Sequence, residues 1–162
     1  MSIWHVSDYL NITLDDDYHL KGNVIFLNEE KDLSLPDILR AFYYRGKNGA
    51  RFNQKLRSQI IESIFEMEES EELETTSSVF FREILNLPSN VGSTLYVMNE
   101  LGVLGAYLPE FGEMVGFFQP GVYHCYTADE HTFIALINLE NLSEKENLNF
   151  GEGMYFSNVG KK

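Results

Sequence analysis

Basic side chains are scarce in this chain: 12 lysines and arginines stand against 25 aspartates and glutamates, for a formal net charge of −13. Such a surface repels phosphate backbones and anionic lipid, which argues against nucleic acid or a membrane as a partner. A single cysteine, Cys125, rules out an internal disulfide and suits a reducing, cytoplasmic setting. Neither a CxxC nor an HExxH pattern occurs, so the common local zinc arrangements are missing. No apolar run approaches the roughly 20 residues that span a bilayer, and no basic-then-apolar leader opens the chain. What is present suffices for a core, since a chain of 162 residues buries roughly two thirds of its unfolded surface.

The first thirty residues read as extended. Tyr9–Leu14 and Asn23–Leu27 are short apolar or β-branched runs, separated by Asp15-Asp16-Asp17 and by Lys21-Gly22, which suggests a small hairpin or ribbon with the aspartates as a turn. Its aromatics, Trp4, Tyr9 and Tyr18, either pack on the helices that follow or mark a surface for a neighbouring unit, and the first is the ordinary outcome.

From Ser34 the period becomes helical. Ser34 caps, Pro36 suits the first turn, and Leu35, Ile38, Leu39 and Phe42 share one face, with Gly46 and Asn48-Gly49 ending the helix. Leu56, Ile60, Ile61, Ile64 and Phe65 trace the strongest stripe in the chain. Glu68–Glu74 reads as a solvated loop. Thr76 or Ser77 is expected to cap a helix through Val79, Phe80, Ile84 and Leu85 that stops near Pro88. A further helix runs from about Ser89 to Glu100 with Val91, Leu95 and Met98 inward. A short one spans Val103–Leu108, and Phe111, Met114 and Val115 extend the apolar surface. Phe117, Phe118 and Pro120-Gly121 form a bend before a last helix, Ala128 to about Leu142, that carries Phe133, Ile134, Leu136 and Ile137. Beyond Ser143 the chain turns polar and rich in Asn and Gly, and a weakly ordered tail is expected there. The fold class is therefore mainly α, a multi-helix bundle with a small β N-terminal element.

Chemistry concentrates in Tyr123-His124-Cys125-Tyr126-Thr127-Ala128-Asp129-Glu130-His131-Thr132. Thr127 and Glu130 have capping-box spacing, which places His131 just inside a helix, and Asp129 and Glu130 lie where carboxylates favour the positive helix end. An imidazole held this way beside carboxylates suits a divalent metal. From spacing alone, a capped-helix histidine making ordinary hydrogen bonds is the better fit, because His124, Cys125 and His131 form only a loose donor set.

The surrounding words are more specific. Met98-Asn99, Gly102-Val103-Leu104, Tyr107-Leu108-Pro109-Glu110-Phe111 and Val115-Gly116 lead without gaps into His124 and Tyr126-Thr127-Ala128-Asp129-Glu130-His131-Thr132. This run resembles the bifunctional uridylyltransferase/uridylyl-removing enzymes that modify the PII nitrogen-signalling protein. Weaker similarity extends back through Phe80, Ile84, Leu85 and Pro88 to Leu35, Pro36, Leu39 and Phe42, so that the resemblance covers about Leu33 to Leu139.

In that family the Asp-Glu-His-Thr histidine opens an HD phosphohydrolase domain whose metal site, for Mg2+ or Mn2+, is completed by a later His-Asp pair and a further Asp. The resemblance thus implies that His131 is the first metal ligand, with His124 a weaker candidate. No His-Asp dipeptide occurs in this chain, and no Gly-Ser precedes an Asp-x-Asp as in the family's UTP-binding domain. The implied organisation is an N-terminal extended element (1–30), a helical linker (31–118), the first helix of an HD domain (119–142) and a tail (143–162). The expectation is a fragment that joins a nucleotidyltransferase to a hydrolase, is inactive and metal-free alone, and belongs to an enzyme acting on PII with UTP. The alternatives are a non-catalytic helical protein-interaction module and, against the net acidity, a helical neck of a tRNA-adding or poly(A)-adding nucleotidyltransferase.

Overall fold

A computed structural model describes residues 11–67, 75–112 and 131–142. The expectations placed on Trp4, Tyr9, Glu68–Glu74, Met114, Val115, Phe117, Phe118, Pro120-Gly121 and the tail lie outside the described residues. Helices dominate, beside one small N-terminal sheet, which is the fold class expected from the periodicity.

Four strands form that sheet in the order β1 (Asn11–Thr13), β2 (Tyr18–Lys21), β3 (Val24–Leu27) and β4 (Arg51–Phe52), antiparallel until the parallel β3–β4 pair. Two strands were expected in the first thirty residues and three are found there. β2 was hidden next to the aspartates, although Tyr18 and Leu20 alternate inward around His19. The Asp15–Asp17 segment is a turn as expected, with Asp15 Oδ1 accepting from the Asp17 and Tyr18 backbone N–H groups at 2.8 and 2.8 Å. A two-residue loop joins β2 to β3, and Gly22 adopts φ 60 there, a conformation tight hairpins need and side chains resist.

Helix α1 (Leu35–Asn48) crosses from β3 to β4. Ser34 and Asp37 form a reciprocal capping box, and Gly49 closes the helix in the left-handed region. Ile38, Leu39, Ala41 and Phe42 are buried beneath the sheet with Tyr18 and Ile25. Gly46, expected to help end the helix, lies inside it. A Cβ there would fall 2.9 Å from Thr94 Oγ1, so the missing side chain serves a close approach between helices.

α2 (Gln54–Glu66) buries only Leu56 and Ile60 fully. Ile64 packs half-buried against the core, whereas Ile61 at 48% and Phe65 at 89% exposure depart from expectation. α3 (Thr75–Leu85) contains Thr76 and Ser77 rather than being capped by them. Ser77 and Ile84 are its buried residues, whereas Val79 and Leu85 face out. Seven positions separate Ser77 from Ile84, two helical turns, so the inward face is set by that register. α4 (Val91–Glu100) buries Gly92, Thr94, Leu95 and Met98. α5 (Val103–Tyr107) ends before Pro109 as expected, and α6 (Pro109–Gly112) follows directly. Residues 131–142 form a further helix, α7, whose Phe133 joins the same continuous core as Ile38, Ile60 and Met98.

Candidate functional site

α7 carries the histidine singled out by its spacing. Among the described residues, one face of this helix carries the contacts to the sheet-and-helix core. Phe133, 1% exposed, sits between the Tyr96 ring (centroids 6.1 Å apart, edge-on) and the Phe111 ring (5.8 Å). One turn later, Ile137 lies over Gly92, where an added Cβ would approach its Cγ1 and its backbone nitrogen to 2.9 Å each. One turn further, Glu140 Oε1 accepts from the Val91 N–H at 2.7 Å and Oε2 from the Gly92 N–H at 3.1 Å. Positions 133, 137 and 140 are one helical stripe. His131 precedes Phe133 by two residues and lies about 200° round the helix from it, on the far side from the docked face. Its side chain is exposed and not sealed among aliphatic neighbours.

His124, Cys125, Thr127, Asp129 and Glu130 lie outside the described residues, so neither the capping box nor a His124–His131 pairing is described. Among the described residues no group of three or more His, Cys, Asp or Glu side chains could hold a metal ion. These residues therefore do not constitute a metal centre, and His131 contributes at most one donor. His19, the other described histidine, is committed to the sheet: its ring stacks on Phe26 at 5.2 Å and Nδ1 lies 2.6 Å from Asn28 Oδ1. Among the described residues no helix is long and apolar enough to cross a membrane.

A second polar constellation was read only as a turn. Arg40, on α1, pairs through Nε with Asp15 (3.3 Å) and through Nη2 with Asp37 (2.9 Å) and Asp17. Lys31 completes the cluster with Asp17 at 2.9 Å and Asp37 at 3.5 Å. The Lys31 hydrogen bond, aided by Arg40, holds the Asp17 carboxyl below its ordinary value. Burial and the Asp15 carboxylate push the Tyr44 hydroxyl up to about 12, and burial with Asp37 raises Tyr18 further. Tyr18 stays protonated and donates to the Asp37 carbonyl at 3.0 Å. With each of the three carboxylates in contact with Lys31 or Arg40, the cluster fastens the β1–β2 turn to α1. The Asp37–Arg40 spacing on one helix face was its only legible signal.

No family model matches the chain, and no solved structure matches it. Over 66 residues, 41% of this chain, it is 47% identical to the bifunctional uridylyltransferase/uridylyl-removing enzyme of Methylococcus capsulatus. It is 41% identical over 66 residues to the enzymes of that name from two strains of Acinetobacter baumannii. The chain's matched part spans 8% of the length of the first relative and 7% of the other two. Part of this chain is therefore similar to a short stretch of the bifunctional uridylyltransferase/uridylyl-removing enzymes, the family that the sequence motifs resemble.

Proposed function

We propose that this chain is the central helical segment of a bifunctional PII uridylyltransferase/uridylyl-removing enzyme of the cytoplasm. It joins the unit that transfers UMP from UTP to the HD unit that hydrolyses UMP from PII, and presents His131 as the first donor of the HD metal site. Residues 31–118 act as the linker and 119–142 as the opening of the HD unit. The observation that carries this reading is α7: one stripe fastens it to the helical core while His131 stands exposed on the other side. A helix that bridges two units needs that division of faces.

The remaining donors, for Mg2+ or Mn2+, come from outside the described residues, so this chain alone neither binds the metal tightly nor removes UMP from PII. Mn2+ titration of a longer polypeptide that contains the His-Asp motif tests the assignment. His131→Ala is expected to weaken binding about tenfold or more, since one of a few ligands is lost, and His124→Ala less. An unchanged curve for His131→Ala refutes the metal role. A non-catalytic interaction module is favoured by one observation, the exposed Ile61 and Phe65 on α2. Such a module would be indifferent to His131→Ala, so the same titration separates the two.

A further inference from the structure

α4 begins without a cap of its own. Asn90, at its N-cap position, has φ 65 and makes no side-chain bond to the helix. Its amide Nδ2 turns away and donates to the Gly46 carbonyl at 3.1 Å. The first N–H groups of a helix have no intrahelical acceptors, and here those of Val91 and Gly92 donate to the two oxygens of Glu140, a residue of another helix. A carboxylate at this position also meets the positive end of the α4 dipole.

We propose that Glu140 is a positioning residue for His131: by capping α4 from outside, it locks α7 in one rotation, so that the histidine nine residues earlier faces away from the helical core. Position 140 lies nine residues from 131, about 180° round the helix. Rotating α7 to turn His131 toward the core would pull both carboxylate oxygens off their donors and lift Phe133 from its aromatic seat. Gly92 is the second part of the lock. Its lack of a Cβ lets the Ile137 backbone come close enough for the carboxylate to reach both N–H groups. The value of this orientation to the enzyme rests on the metal-donor reading of His131, whereas the lock itself does not.

NMR of the full 162-residue chain tests it with two variants. Glu140→Gln keeps the shape but aims an NH2 at one of two donors. Gly92→Ala leaves the carboxylate intact and drives a methyl group against Ile137. Amide exchange in 131–142 should accelerate about tenfold in Glu140→Gln, as expected for loss of a charged cap. In both variants the residual dipolar couplings of the 131–142 amides should no longer fit the orientation shared with α1 and α4. If Glu140 served only to stabilise α4, Glu140→Gln would speed exchange in 91–100 and leave the couplings of 131–142 unchanged, whereas Gly92→Ala would still displace α7 through the Ile137 backbone. Couplings for 131–142 that remain those of the parent chain in Glu140→Gln overturn the proposal. Should Glu140→Gln unfold the whole chain, Glu140→Asp, which keeps the charge and shortens the reach to the two N–H groups, decides by the same couplings. A released α7 together with Mn2+ binding that ignores His131→Ala would sink the metal reading and leave the lock standing.

Discussion

Replacing Arg40 with methionine should cost about 2 kcal/mol of stability. The guanidinium holds Asp15, Asp17 and Asp37 together and lies 5.5 Å from the Tyr18 ring centre. Exposed ion pairs are worth roughly 0.2–1 kcal/mol each, while breaking a buried pair costs about 3–5 kcal/mol. The Arg40 side chain is 25% accessible and its partners 20–27%, which places the cluster between those limits. Contact with the tyrosine face adds about 0.5–1 kcal/mol, and methionine keeps much of the aliphatic packing, so about 2 kcal/mol remains. At roughly 2–4 °C per kcal/mol for a domain of this size, the melting temperature should fall by about 4–8 °C. Arg40→Lys, which keeps the charge and loses the fork, should cost about half as much.

The sign with pH follows from Asp17. Its folded value lies below the ordinary 3.8, so its stabilising contribution is complete above that value and is lost as pH falls through the depressed one. The gap between Arg40→Met and the parent chain, measured by urea unfolding, should therefore be widest at neutral pH and close in the acid range below the ordinary Asp value. A gap under about 0.5 kcal/mol at neutral pH, or one that persists unchanged into strong acid, would refute this account of the cluster.

Ser77 is fully buried in α3 and its Oγ has no partner among the described residues. Ser77→Ala should accordingly stabilise the chain by about 0.5–1 kcal/mol in urea unfolding, because the hydroxyl's desolvation cost disappears and helix propensity improves. Two residues of α2 should respond very differently. Ile60→Ala should cost about 2–5 kcal/mol, whereas Phe65→Ser should stay within roughly 0.5 kcal/mol of the parent, since its ring is 89% exposed.

α1 was legible almost to the residue, because every signal for it is local: Ser34, Pro36, Asp37 and Gly49 act within a turn of the chain, and Ile38, Leu39 and Phe42 repeat at the helical period. Gly46 was misread for the opposite reason. A glycine within a helix looks like a terminator until Leu87 and Thr94, forty and more residues on, are seen to occupy the space of its missing side chain. Ser77 has the composition of a cap and lies on a buried face, since packing with Ile84 and the core overrides a local preference. Phe65 shows the converse limit. Periodicity tells which residues share a face of a helix, but not whether anything covers that face.

The candidate site divides along the same line. The words around His131 pointed to a helix and to a family, and the resemblance was carried by residues adjacent in the chain. What aims the imidazole is not adjacent. Glu140 reads as an ordinary acidic residue on the last helix, and Ser89-Asn90 reads as an ordinary local start for α4. Only when Asn90 turns its amide to Gly46 does α4 lack an acceptor, and only the absence of a Cβ at Gly92 lets another helix supply one. The direction of His131 is thus set by a pair of backbone N–H groups some forty residues earlier in the chain. Substitutions at Gly92 should therefore disturb the orientation of α7 more than equally drastic changes at exposed positions of α7 itself, such as Leu139 or Leu142.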